Sequence, residues 1–129
     1  MRRVLTMMAL LAAATPALAD DIFANRPAFS PAEAPAQSSA RCDELRAMAE
    51  GVPDGRDRID LSVTGKLTLV KTDGALWYLV ACSDLRVMCV TYEANDMKVG
   101  DAVELRGAYR RLDRNHAVLD PCLATAEAQ

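Results

Sequence analysis

The sequence is poor in the residues from which small reactive centres are built. It has one histidine, His116, and four cysteines, of which Cys82 and Cys89 stand closest together with six residues between them. Zinc sites usually place about two to four residues between paired ligands, and thiol oxidoreductases carry C-x-x-C, so no metal, no cofactor and no redox motif is expected. No recognisable nucleophile motif accompanies His116. A basic excess is also missing: 15 Lys and Arg face 18 Asp and Glu, for a formal net charge of −3. That balance argues against attraction of nucleic acid by bulk charge. Beyond the first residues, no apolar run approaches the length of a bilayer span.

What is present begins with an address. The chain opens with Arg2 and Arg3, continues through VLTMMALLAAA and reaches Pro16 and Ala17-Leu18-Ala19. A positive start, an apolar segment too short to cross a bilayer and small residues before a cleavage point predict a secretory signal over residues 1–19. A lipid anchor would need a cysteine directly afterwards, and the first is Cys42. Removal of the signal takes away Arg2 and Arg3 and no acid, moving the net charge from −3 to −5. The expected localisation is the periplasm or the medium, an oxidising space in which cysteines pair.

Residues 20–37, DDIFANRPAFSPAEAPAQ, hold three prolines and no periodic apolar face. Burial there does not offset the loss of chain entropy, so a flexible leader is expected, with Phe23 or Phe29 docked in a groove as the alternative. The folded domain is placed at 38–124 and a tail at 125–129. In SSARCDELRAMAEG (38–51) a helix is predicted: Ser38 or Ser39 caps it, Asp43 and Glu44 lie near its positive end, and Gly51 closes it. Cys42, Leu45 and Met48 or Ala49 fall on one face. From Ile59 the period changes to two, and Ile59, Leu61, Val63, Gly65, Leu67 and Leu69 alternate with polar residues. Asp73-Gly74 supplies a tight turn. ALWYLVAC, RVMCVTY, AVELRGAYRR and HAVLD follow as further strands, the last expected to end at Pro121.

The fold class expected is mainly β, a small five-stranded antiparallel barrel with one N-terminal helix. Over residues 59–122 the chain resembles an OB-fold, on its strand count, on Gly65 and Gly107 within the long first and fourth strands, and on the turns TDG and RLDRN. It is similar to small exported bacterial OB-domains without assigned chemistry. An SH3-like barrel or a small sandwich shares the alternation. The resemblance implies a binding platform rather than a reaction, with the ligand over the second and third strands between the first and last hairpin loops. That region offers Tyr78 and Arg86 and, as candidate ligand-binding residues, Lys71, Trp77, Tyr92, Arg110, Arg111 and Arg114. Trp77 and Tyr78 point to opposite faces, so at least one of them is expected in the core.

Four cysteines in an exported domain predict two disulfides, for which sequence allows several pairings. With the second turn centred between Leu85 and Arg86, Cys82 and Cys89 fall opposite each other, which leaves Cys42 to pair with Cys122. Pairing of Cys42 with Cys89 or with Cys82 is the competing arrangement. The function expected is a non-enzymatic exported binding module whose partner is a protein or an envelope oligosaccharide. Its rivals are single-stranded nucleic-acid binding through the aromatic strands and a small hydrolase in which Asp113 and Asp120 orient His116.

Overall fold

Period-two alternation becomes strand in the computed structural model, which describes residues 22–55 and 57–127. The expected signal, residues 1–19, lies outside the described residues. In chain order the elements are β1 (Phe29–Pro31), β2 (Ala40–Arg41), α1 (Cys42–Ala49), β3 (Ile59–Thr72), β4 (Trp77–Ala81), β5 (Arg86–Thr91), β6 (Ala102–Asp113) and β7 (His116–Ala126). The long β3 meets different partners along its length. Its first half pairs with β6, from Asp60↔Ala108 to Lys66↔Ala102, and its second half pairs with β4. The sheet then continues from β4 to β5, to β7 and to β6, which returns to β3 and closes a five-stranded barrel. Fully buried Leu61, Val63, Leu67, Leu79, Val87, Leu105 and Leu119 fill its interior.

The barrel is mixed, which corrects the purely antiparallel expectation. β5 and β7 run parallel, from Arg86↔His116 to Cys89↔Leu119. Parallel neighbours need a connection that carries the chain back across the sheet, and here β6 is that connection. A second correction concerns the last strand, which runs through Pro121 to Ala126. In the β6–β7 ladder Gly107 faces Cys122 and Tyr109 faces Leu119, so Asp120 and Pro121 together oppose Ala108. The missing N–H of Pro121 therefore sits in a bulge, where the ladder does not require it.

Residues 22–37 do not behave as the expected flexible leader. Ala28 and Phe29 are buried, β1 pairs with β3 through Phe29↔Leu61, and Ser62 N donates to Ala28 O. The Phe29 ring meets Tyr109 edge-on at 5.2 Å. Arg26 ties the segment to the C-terminus of α1 by donating to Met48 O (3.0 Å) and Glu50 O (2.7 Å), where free helix carbonyls attract a cation. The helix buries Leu45 and Ala49, as its periodicity predicts. Its start is not capped by a serine: Arg41 N donates to Glu44 Oε1, and Ser39 Oγ is bonded to Ser62 Oγ on β3.

Both disulfides differ from the first expectation. Cys42 is joined to Cys82 and Cys89 to Cys122. The cause is register. Trp77↔Thr91 and Ala81↔Val87 centre the β4–β5 hairpin on Asp84, so the residue across from Cys89 is Leu79. Cys82 has already left the strand with φ of +72° and is directed to α1, while inward-facing Cys89 reaches Cys122 on neighbouring β7.

Candidate functional site

Register brings unexpected residues together on the outside of the barrel. Leu69, Val80, Met88, Val118 and Arg110 pair successively across all five strands, and Lys71, Tyr78 and Val90 form the adjacent row. Their chain neighbours Leu79, Ala81, Val87, Cys89, Ala117 and Leu119 are buried inside, so alternation turns these rows outward. An outward sheet face in water normally carries polar side chains. Here its centre is aliphatic. Leu69 is 45% exposed, Val80, Met88 and Tyr78 are half-buried, and Val90 and Val118 are buried beneath their neighbours. Lys71, Arg86 and Arg110 stand exposed around this belt. Beside it, Asp54, Asp57, Arg58, Arg110, Val118 and Asp120 line a hollow of about 310 Å³.

Trp77 and Tyr92 lie elsewhere. Trp77 shares the inward side of β4 with Leu79 and Ala81 and packs on the core at the barrel end defined by Trp77↔Thr91. Tyr92, just past β5, is 80% exposed. Together with residues 93–98 they line a cavity of about 460 Å³. Lys71 pairs with Tyr78 and so faces away from Trp77.

Arg111 and Arg114 occupy the opposite end, where β5 and β7 begin. Arg111 donates to Asp113 O and Arg114 O, both at 2.7 Å, and thereby braces its own hairpin turn. The residue that organises this end, Arg46 on α1, is not marked by any motif. It forks onto Asp84 (3.0 and 3.1 Å) and donates to Arg114 O and Asn115 Oδ1, linking the helix to two turns. A helix-face pattern marks Arg46 only as a solvated cation, because its partners are 38 to 69 residues away. Arg46, Glu50, Tyr109, Arg111 and Arg114 border a cavity of about 470 Å³. The six candidates thus divide among three places.

Hydrogen bonds hold three turn carboxyls below the usual aspartate range. Asp73 accepts from Leu76 N, Ala75 N and the Tyr78 hydroxyl; Asp84 accepts from Arg46; Asp113 accepts from Asn115 N and His116. A depressed carboxyl contributes stability above its unfolded pKa, near about 3.9, and loses it as pH falls through the lower folded value. The melting temperature is therefore expected to be level through the neutral range and to drop in acid, beginning near the ordinary aspartate pKa. Asp84→Asn should lower the plateau and make the acid limb shallower, as a melting series against pH will read.

His116 is fully engaged in its turn. Nδ1 meets Asp113 at 2.8 Å, and Nε2 lies 3.3 Å from Arg86 Nη1. A guanidinium only donates, so in the neutral ring Nε2 accepts and Nδ1–H is directed to Asp113. Among the described residues no serine, threonine or cysteine side chain is hydrogen-bonded to this histidine, and Asp120 is not one of its partners. Nor do they hold a group of three or more His, Cys, Asp or Glu placed to bind a metal ion, or a helix long and apolar enough to cross a membrane. No protein-family model matches the sequence, and no curated protein does.

Proposed function

We propose that this protein is a non-enzymatic, exported binding module of the periplasm or medium, and that the outer β4–β5–β7 face of its OB-like barrel receives an acidic segment of a protein partner. The observation that carries this reading is the registered row Leu69–Val80–Met88, continued by buried Val118, an aliphatic belt where solvent-facing strands ordinarily show polar groups. The OB likeness is supported by the closed five-strand order and by the long first and fourth barrel strands, β3 and β6. Export is supported by two disulfides. An apolar centre with a charged rim is the make-up of a recognition patch, and Lys71, Arg86 and Arg110 select an acidic partner at contact.

Two variants test it. Val80→Asp and Met88→Asp put a charge into the belt without touching the interior, and each is expected to weaken capture of the partner from envelope extract by about tenfold or more, with thermal unfolding little changed. Charge reversal at Lys71 and Arg110 should lower capture further at low salt than at high salt. Undiminished capture by Val80→Asp and Met88→Asp overturns the reading.

A further inference from the structure

The cavity at the far end of the barrel has its own chemistry. Two aromatic rings, Trp77 and Tyr92, share its wall with two carboxylates, Glu93 and Asp96. Among the described residues, neither carboxylate nor the Tyr92 hydroxyl has a hydrogen-bond or ion-pair partner. Among the described residues the one aromatic pair is Phe29 with Tyr109, away from this cavity, so the Tyr92 ring is not stacked on a neighbour. A large ring that is 80% exposed, next to a tryptophan and unpaired acids, is a surface without an intramolecular purpose.

The loop that carries these groups is held in place from both sides. Asn95 Nδ2 donates to Ala124 O on β7, Met97 N donates to Ala94 O, and Gly100 N donates to Leu67 O on β3. Asn95 and Asp96 adopt φ of +50° and +60°, the left-handed region that L side chains visit reluctantly. Met97 packs on the core beneath them. The loop backbone is therefore formed in advance, and an occupant bears only the cost of ordering the Tyr92, Glu93 and Asp96 side chains.

We propose that this cavity binds an alkylated ammonium group, the chemistry of a choline headgroup or a methylated amine. The negative faces of aromatic rings attract such a cation, and its methyl groups lower its hydration enough for it to leave water. Glu93 and Asp96 add the opposite charge, and about 460 Å³ exceeds what the group itself needs. Lys98 borders the same space, and its ammonium is the internal competitor for the carboxylates. The site is separate from the outer face and stands without it.

Trp77 is the only tryptophan, so its fluorescence reads this cavity directly. The intact mature protein is titrated with choline chloride and with 3,3-dimethylbutan-1-ol, its uncharged isostere, at constant ionic strength. A saturable change with choline is expected, at an affinity about tenfold above that for the alcohol. Glu93→Gln with Asp96→Asn should reduce choline affinity about tenfold, and Lys98→Met should raise it. A second titration with phosphatidylcholine vesicles separates a lipid headgroup from a free solute. Equal binding of choline and the alcohol, or no saturable response to choline in solution or on vesicles, overturns the proposal. Because the altered side chains are exposed and the rest of the fold is untouched, indole N–H resonance dispersion provides an independent check that each variant is folded.

Discussion

Peptide mapping of the purified, unreduced protein is expected to recover Cys42 linked to Cys82 and Cys89 linked to Cys122, with no Cys82–Cys89 peptide. Reduction of these bonds should be the most damaging single treatment. The cysteines of the two bridges are 40 and 33 residues apart in sequence, and in the chain-entropy description loops of that size contribute about 4 kcal/mol each. A small domain has about 5 to 15 kcal/mol of net stability, so losing one bridge removes a large part of it and losing both leaves the barrel unfolded or nearly so. The bridges also act at places that hydrogen bonding leaves weak. Cys42–Cys82 fastens the eight-residue α1, too short to persist alone, to the end of β4. Cys89–Cys122 ties β5 to β7 beside the bulge at Asp120 and Pro121. Urea unfolding of Cys42→Ala/Cys82→Ala and Cys89→Ala/Cys122→Ala pairs will measure each contribution. A fully folded protein that titrates with free thiols would refute the arrangement.

The barrel strands were legible because alternation is a local signal. Ile59 to Leu69, the Asp73-Gly74 turn and the two long strands with central glycines could all be read without knowing what lay beside them. The face of α1 was legible for the same reason, since Leu45 and Ala49 recur at helical spacing. Register was not legible. The position of the β4–β5 turn, centred on Asp84, decides which residue Cys89 faces, and nothing in SDLR fixes it. That displacement changed both disulfide partners. It also governs the candidate site: only the ladder shows that Val80, Met88 and Val118 meet in one row, whereas in sequence they are ordinary members of three apolar strands. For want of the same information, sequence groups Lys71, Trp77 and Tyr92 with Arg110, Arg111 and Arg114 in one region. β1 is not legible because three residues of strand next to proline carry too little pattern, and the burial of Phe29 depends on Tyr109, eighty positions away.

Gly107→Ala is expected to be the most damaging of the glycine-to-alanine changes. A Cβ at this position would run into Pro121 O and come within 2.9 Å of Cys122 Cα. Those are backbone atoms, and they cannot swing aside as a flexible side chain would. Gly107 pairs with Leu61 on one side and Cys122 on the other, so its strand is held between two neighbours and has no free direction in which to move. Relief would have to come from parting β6 and β7 at the bulge, while the Cys89–Cys122 bridge holds β7 to β5. The cost of such overpacking is typically about 1 to 3 kcal/mol, and the upper end applies where backbone meets backbone. Gly65→Ala should cost less, because the atom it meets, Cys42 Sγ at 2.6 Å, belongs to a side chain, yet the bond to Cys82 keeps that sulfur from retreating freely. Breaking the Cys42–Cys82 bridge should therefore ease the Gly65→Ala penalty and leave the Gly107→Ala penalty unchanged. Gly55→Ala, with no atom within 4 Å of the added methyl, serves as the reference and should be neutral or slightly stabilising. Urea midpoints of the three variants, with and without the Cys42→Ala/Cys82→Ala pair, will show whether Gly107 is required by the approach of β7. Equal midpoints for Gly107→Ala and Gly55→Ala would mean that the two strands are not in the contact described.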